Sequence, residues 1–371
     1  MFMAKIVLIS NSSSSCFHFR HELSTRLLQE GFEVIEVIGD TRFESTIKAW
    51  GVEVRIAPLE TRSLNVAKLI TYEKKLKEIL ISENPDVVFT FQTKPNICGM
   101  FASKAAHIKN TFAMVEGLGD GFGRHDIIGK IIECSLTLLF KMSLKYSKKV
   151  FFLNEEDVAF FSKKRIISPN KPVLIHGIGI DCDFYNKAPF ENYFTATMIS
   201  RLIPKKGVFD FCEAARECKK INPNLHFRLI GMPIEITEKE LKPFMEDGSI
   251  EFLGGIDDVR PELSRMTISV VPTYYLEGLP QTIMEAMATG RPVITTKMRG
   301  CNFCVQDGVN GLFVEMQNPK DLSQKLLMLF SDPERIIKMG NSARDFAISN
   351  FDEAKINKKI LATISANSVI S

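Results

Sequence analysis

The segment from Ile268 to Thr296, ISVVPTYYLEGLPQTIMEAMATGRPVITT, restricts the possible fold more than any other part of the chain. Ile268–Val271 is a short apolar run stopped by Pro272, which reads as a buried strand. A loop, Tyr274 to Leu279, follows. Pro280 suits a first helical residue, because the N–H it lacks would have no intrahelical partner there. Ile283 and Met287 are four apart, as are Met284 and Ala288, so the next segment is a helix with one stripe facing a core. Gly290 closes that helix, Pro292 prevents its continuing, and Val293–Thr296 forms the next strand.

Two acids frame this strand–loop–helix–strand unit. Glu277 stands in the loop and Glu285 within the helix, with Gln281 one turn before it on the same face. Helical side chains lean toward the N-terminus, which directs Glu285 to the end where the amides of Gln281 and Thr282 are free. A phosphate could bind those amides beside Gly278, Leu279 and Pro280, while the two carboxylates accept hydrogen bonds from sugar hydroxyls. Taken singly, each acid also reads as an ordinary surface charge. The combination, with Glu-Gly-Leu-Pro and Glu-Ala-Met-Ala-x-Gly-x-Pro-Val, resembles the Glu–seven residues–Glu signature of retaining glycosyltransferases of family 4.

The 371 residues exceed one ordinary core and predict two domains. A net charge of +3 argues against a general nucleic-acid partner. Met1–Ser10 runs straight into a strand without the pattern of a signal peptide, and no apolar run is long enough to span a bilayer, so a cytoplasmic protein is expected. The eight cysteines show no disulfide rhythm, and Cys301-x-x-Cys304 has no second pair to complete a zinc site.

The N-terminal half alternates strands and helices: Ala4–Ser10, a helix after the polar loop Asn11–Ser15, Val52–Ala57, a helix over Leu64–Ile81, Asp86–Phe91, Thr111–Val115 and Lys149–Leu153. This is a doubly wound α/β pattern, which binds ligands at the carboxyl ends of its strands. The segments there are Asn11–Ser15, Gln92–Asn96 and Glu116–Gly123. The last has glycines at alternate positions, Gly117 and Gly119 among them, which suggests a loop approached closely by substrate rather than a dinucleotide fingerprint. Glu116 either points into the ligand crevice or caps this loop. His18 and Arg20 follow the first loop and are acceptor-side candidates, although a lone His is more often structural. From Arg124 to Lys149, basic residues interleave with a broad apolar pattern, which fits either a membrane-surface helix or a core helix with a solvated basic face.

The pattern loosens between Pro169 and Pro189. Asp181-x-Asp183 there imitates a metal signature but lies in a linker, and no metal is expected. A second α/β half opens with the strand Tyr193–Ile199. Arg201 and Lys206 follow at a strand–helix turn, a bidentate fork and a point charge suited to phosphate. Strands His226–Ile230 and Ile250–Phe252 lead into Gly231 and Gly254–Asp258, which includes Ile256, placed for a nucleobase.

Ser200-Arg-Leu and Lys206-Gly207, His176-Gly-Ile-Gly-Ile-Asp181 and Asp307-Gly-x-Asn-Gly-Leu-Phe313 are also similar to the same family. His-Phe-Arg (18–20) and Val-Glu-Gly-Leu-Gly (115–119) look like bacterial enzymes that extend undecaprenyl-diphosphate-linked oligosaccharides. The resemblance implies the GT-B arrangement, two Rossmann-like domains facing across a cleft. Residues 1–172 would form the acceptor domain, 173–190 a linker, 191–350 the nucleotide-sugar domain, and 351–371 a helix crossing back. It implies transfer of a hexose or N-acetylhexosamine with retention, UDP-GalNAc being the favoured donor and a polyprenyl-diphosphate-linked saccharide the acceptor. Arg201 and Lys206 would hold the diphosphate, Glu277 the sugar and Glu285 the ribose. Glu116 takes the place of the His that relatives often present on the acceptor side. No metal cofactor is implied, and the enzyme would work at the inner face of the membrane. A UDP-sugar 2-epimerase of the same fold and a sugar-binding protein without turnover are the alternatives.

Overall fold

The computed structural model describes residues 4–60, 65–118, 121–122, 126–191 and 194–368. The chain forms two compact units, one made of Met1–Ile178 with Glu353–Ser371, the other of Gly179–Asp352.

In the first unit, strands β1 (Lys5–Ile9), β2 (Glu33–Ile38), β3 (Glu53–Ile56), β4 (Val87–Phe91), β5 (Asn110–Val115), β6 (Lys149–Phe152) and β7 (Pro172–Leu174) pair in the order β3-β2-β1-β4-β5-β6-β7. Every pairing is parallel. The central strands are buried along almost their whole length, as a sheet covered on both faces requires. Helices α1 (Ser13–Phe19), α2 (His21–Gln29), α3 (Glu44–Lys48), α4 (Val66–Glu83), α5 (Thr93–Ala105), α6 (Ile127–Leu144) and α7 (Glu155–Lys163) connect them.

Four segments depart from or refine the expectation. Asn11–Ser15 is mostly not a loop: the Ser12 hydroxyl accepts from the Ser15 amide at 3.1 Å and starts α1 one residue later. That cap converts a polar, loop-like stretch into a first helical turn, and the expected single helix breaks at Arg20. Gln92–Asn96 is helical from Thr93 onward. Val173 and Leu174, expected in a linker, pair with Phe151 and Phe152 as part of β7.

In the second unit, β8 (Thr195–Ile199), β9 (His226–Ile230), β10 (Glu251–Phe252), β11 (Ile268–Val271), β12 (Val293–Thr296) and β13 (Gly311–Val314) pair in the order β10-β9-β8-β11-β12-β13, again parallel throughout. Its helices are α8 (Val208–Ile221), α9 (Glu238–Glu246), α10 (Arg260–Arg265), α11 (Gln281–Ala288), α12 (Cys301–Cys304), α13 (Pro319–Phe330) and α14 (Pro333–Asn350). Pro319 and Pro333 stand at the first turns of α13 and α14 behind Asn318 and Asp332, whose side chains accept from the amides of Asp321 and Arg335. Both sheets reverse direction of growth at one place: between β1 and β4 in the first unit, and between β8 and β11 in the second. Ligands of such sheets bind at that reversal, beyond the carboxyl ends of the strands.

The last helix, α15 (Glu353–Asn367), returns to the first unit and packs against α2. Ile356, Ile360 and Ile364 recur every four residues and are buried.

Candidate functional site

In the second unit, the loops leaving β8 and β11 are neighbours because those strands pair. The Tyr274 amide donates to the Lys205 carbonyl at 2.8 Å, tying the two loops together. Gly207 permits the close approach: its φ is +78°, and a Cβ there would meet the Pro272 carbonyl oxygen at 2.2 Å. Gly300, at φ +77°, likewise lets its loop approach the Gly278 carbonyl oxygen, which a Cβ would meet at 2.2 Å.

This packing brings Lys206 and Glu277 into an ion pair, with Lys206 Nζ donating to Glu277 Oε1. The Thr273 hydroxyl donates to the same carboxylate oxygen at 3.3 Å. The Lys206 ammonium and the Arg201 guanidinium lie 5.7 and 5.8 Å from the centre of the Tyr275 ring. Arg201 is exposed and forms no ion pair among the described residues. Two positive charges thus stand at the switch of the sheet, and Glu277 offsets one of them.

Pro280 is the N-cap of α11 rather than its first helical residue: its ψ of 118° is extended. The first amides bonded to its carbonyl are those of Ile283 and Met284, at 3.1 and 3.4 Å, so the Gln281 and Thr282 amides lie at the open end of the helix. Leu279 is buried beside them.

Glu285 is not a surface acid. It is 8% exposed, and the Tyr185 hydroxyl donates to its Oε1 at 3.1 Å. Burial pushes its carboxyl up to about 7, against the lowering effect of hydrogen bonds from Tyr185 and Gln281. Gln281 Oε1 is buried without a hydrogen-bond partner among the described residues, an acceptor directed into the same region. Tyr185 is itself fixed, since Arg344 donates to its carbonyl at 2.8 Å. Ile256 follows β10 in the same unit and is half-buried. Asp181 closes a turn: its Oδ1 accepts from the amides of Asp183 and Phe184 at 2.8 Å each. Cys301 and Cys304 are buried thiols outside any disulfide, and no group of three metal-ligating side chains occurs among the described residues.

In the first unit, Gln92 joins the ends of β1, β4 and β5. Its Oε1 accepts from the Asn11 amide at 3.2 Å, and its Nε2 donates to Ser15 Oγ at 2.6 Å and to Glu116 Oε2. Its φ of +65° is rare for a residue with a side chain, a strain that such sites often hold. Glu116 Oε1 accepts from Arg20, so both of its oxygens are engaged. Arg20 is fully buried, with its guanidinium 3.8 Å above the Phe91 ring. Burial lowers that guanidinium to about 10, and it raises the neighbouring Glu36 carboxyl to about 7. His18 is on the exposed side of α1, its ring edge-on to Phe17 at 5.0 Å and to Phe43 at 6.0 Å. Gly117 adopts φ +122°, and Gly119 lies outside the described residues.

Sequence reasoning thus named Arg201, Lys206, Glu277 and Glu285 but missed Thr273, Tyr275 and Tyr185, and it placed Gln92 only within a segment at a strand end. Tyr275 lay inside the recognised loop. Tyr185 is 100 positions from Glu285, and no local spacing announces it.

Residues 194–332 match the family model described as "Glycosyl transferases group 1". The chain is a glycosyltransferase, similar over those residues to the group 1 enzymes. It is 26% identical, over 96% of its length and 97% of the relative's, to the N,N'-diacetylbacillosaminyl-diphospho-undecaprenol alpha-1,3-N-acetylgalactosaminyltransferase of Campylobacter jejuni. It is 25% identical, over 83% of its length and 82% of the relative's, to the UDP-Gal:alpha-D-GlcNAc-diphosphoundecaprenol alpha-1,3-galactosyltransferase of Escherichia coli. Among solved structures, Anabaena HepE in complex with UDP matches with a TM-score of 0.80 at 17% identity, covering 98% of this chain and 100% of that one. A glycosyltransferase of Rickettsia africae matches with a TM-score of 0.79 at 19% identity, covering 99% of both chains. The fold is therefore the GT-B fold of such glycosyltransferases.

Proposed function

We propose that this glycosyltransferase moves a hexose or N-acetylhexosamine, with UDP-GalNAc the favoured donor, onto a saccharide linked to a polyprenyl diphosphate, with retention at the anomeric carbon. The observation that carries the reading is the placing of Arg201 and Lys206 around Tyr275, in the loop that leads into the open end of α11, at the switch of the second sheet. The activities for which the Campylobacter and Escherichia relatives are named support the acceptor class.

In this reading the bond from the anomeric carbon to the β-phosphate oxygen breaks, and the acceptor hydroxyl oxygen forms the new bond on the same face. The diphosphate gains charge as it leaves. Lysine has three N–H donors, so Lys206 can serve Glu277 and a phosphate oxygen together, while Arg201 and the α11 amides take the rest. Glu277 accepts from sugar hydroxyls, and Glu285 from the ribose. The leaving phosphate takes the acceptor's proton, so no protein nucleophile is needed. The cationic groups supply the charge that a metal would otherwise bring, and the reaction proceeds without one. Gln92, Glu116 and Arg20 shape the acceptor side on the first unit, with His18 at its edge.

The acceptor lipid places the enzyme at the inner face of the membrane. No described helix is long and apolar enough to cross a bilayer, but α6 carries an apolar face that is open to solvent. Ile127, Ile128, Ile131, Leu138, Leu139 and Met142 are exposed and share an arc of about 120° at 100° per residue. Lys130, Lys141 and Lys145 border one edge of that arc, a pattern suited to an anionic lipid surface.

A screen of UDP- and GDP-sugars for protection against thermal unfolding, run with and without EDTA, tests the donor reading. UDP-GalNAc is expected to protect best, equally in both conditions. Protection by a GDP-sugar alone, or only with added divalent metal, would overturn it.

A further inference from the structure

The basic and apolar features of α6 continue into a groove of about 890 Å³, which lies between its last turns and the α7–β7 connection. Leu138, Met142 and Ile167 give it apolar walls. Four basic residues line it (Lys141, Lys145, Arg165 and Lys171), and no acid does. Lys171 belongs to the framework: its ammonium donates to the Leu144 and Lys145 carbonyls at 2.8 Å each and so closes the end of α6. Lys141 and Arg165 are exposed and form no ion pair among the described residues. The acid of the neighbouring α6 surface, Glu133, is occupied by Lys164 at 3.0 Å.

Unsatisfied positive charge over apolar walls fits a ligand with an anionic head and a hydrocarbon tail. The position of the groove narrows the class. Lys171 and Lys149 stand at the amino ends of β7 and β6, whereas Asn11, Gln92 and Glu116 stand beyond carboxyl ends of strands in the same sheet. The 18 residues of α6 span about 27 Å from one side of the sheet to the other. A ligand in this groove is therefore remote from the acceptor-side groups, which a lipid-linked acceptor must reach with its saccharide.

We propose that this groove binds the phosphate head group of an anionic glycerophospholipid and anchors the C-terminal end of α6 to the membrane. The proposal rests on the membrane reading above and adds a discrete site to it. The head group lies against Lys141, Lys145 and Arg165, and the acyl chains follow Leu138 and Met142 onto the exposed face of α6.

The test uses the whole protein, its Lys141→Glu/Arg165→Glu variant and its Ile131→Glu variant, with circular dichroism confirming that each folds. Dihexanoyl phosphatidylglycerol, kept below its micelle concentration, should raise the thermal midpoint of the wild type but not of the double variant. Dihexanoyl phosphatidylcholine should raise neither. Equal protection by phosphatidylcholine, or protection by phosphatidylglycerol that survives in the double variant, overturns the site. Protection by farnesyl diphosphate or by inorganic phosphate that the double variant loses, matching that by phosphatidylglycerol, would reassign the groove to lipid diphosphates or free phosphate. With vesicles containing phosphatidylglycerol, loss of about fivefold in affinity per removed charge is expected for the double variant. Vesicle binding lost in Ile131→Glu but intact in the double variant would leave the membrane reading standing and remove the groove.

Discussion

Lys206 and Glu277 are joined in one ion pair, yet their proposed contributions differ in kind. Lys206 meets charge that develops on the leaving diphosphate, so Lys206→Ala should lower kcat/KM by roughly 10²–10³, and Arg201→Ala by a similar factor. Steady-state kinetics check this, and near-normal turnover in both variants would remove them from the site. Glu277→Gln should reduce kcat more than Glu285→Gln does, because in the proposed reading only Glu277 holds the transferred sugar. Losses of equal size confined to donor KM would make both acids nucleotide clamps.

Glu285 adds a pH dependence of definite sign. Its carboxyl rises from the ordinary 4.5 to about 7 on folding because it is buried. The folded state therefore holds the proton more tightly, so this group's contribution to stability is full below pH 4.5 and is lost as the pH rises through 7. Glu285→Gln should flatten that part of the decline in thermal midpoint between pH 5 and 8. Ribose hydroxyls donate best to the ionised form, so UDP affinity should rise with pH through about 7 in the wild type. Tyr185→Phe removes a hydrogen bond that favours ionisation and should move that rise to higher pH. A UDP affinity independent of pH in the wild type would separate Glu285 from the nucleotide.

Elements were legible in the sequence wherever local pattern decides them. The stripe of Ile283 and Met287 specified α11, and Asp307 through Phe313 specified the turn into β13, where Asp307 Oδ1 accepts from the Phe313 amide at 2.9 Å. Chain ends of elements were less legible: Ser12 and Pro280 each act as caps, which shifted two helix starts. Contacts between distant positions had no local signal. Arg20 and Glu116 are 96 residues apart, and only the strand order brings them together. The same limit applied to α6. Its composition fitted both a core and a membrane-surface helix, and packing shows that one arc faces the core through Gly129, Phe140 and Ser143 while the opposite arc is open. Packing also separates the lysines of the Arg124–Lys149 stretch. Lys148 Nζ donates to Asn110 Oδ1 at 2.7 Å and to the Asn367 carbonyl at 2.6 Å, so it ties α15 to β5. Lys148→Gln should therefore cost about 1 kcal/mol of stability in denaturant unfolding while leaving vesicle binding unchanged. Ile131→Glu should do the reverse, and it should slow reaction with a long polyprenyl acceptor but spare a short soluble one. If both acceptors respond alike, the open face of α6 has another use.

At the scale of the whole chain, one plan is used twice. Each unit grows its sheet outward from β1 and β4 or from β8 and β11, and each collects its polar groups beyond the carboxyl ends of those strands. The second unit carries the cationic groups and the helix terminus suited to a donor diphosphate, and the first carries the Gln92, Glu116 and Arg20 network. The chain closes with α15 packed on the first unit, so residues from both ends of the sequence share one core. Such an assignment of donor and acceptor to separate units requires that turnover depend on both substrates. The most direct measurement is UDP release from UDP-GalNAc by the purified protein, with and without a polyprenyl-diphosphate-linked saccharide, together with the anomeric configuration of the product by NMR. The account predicts one UDP released per sugar added, only when the acceptor is present, and an α-linked product. Release at the same rate without acceptor, an epimerised free sugar, or a β-linked product would contradict it.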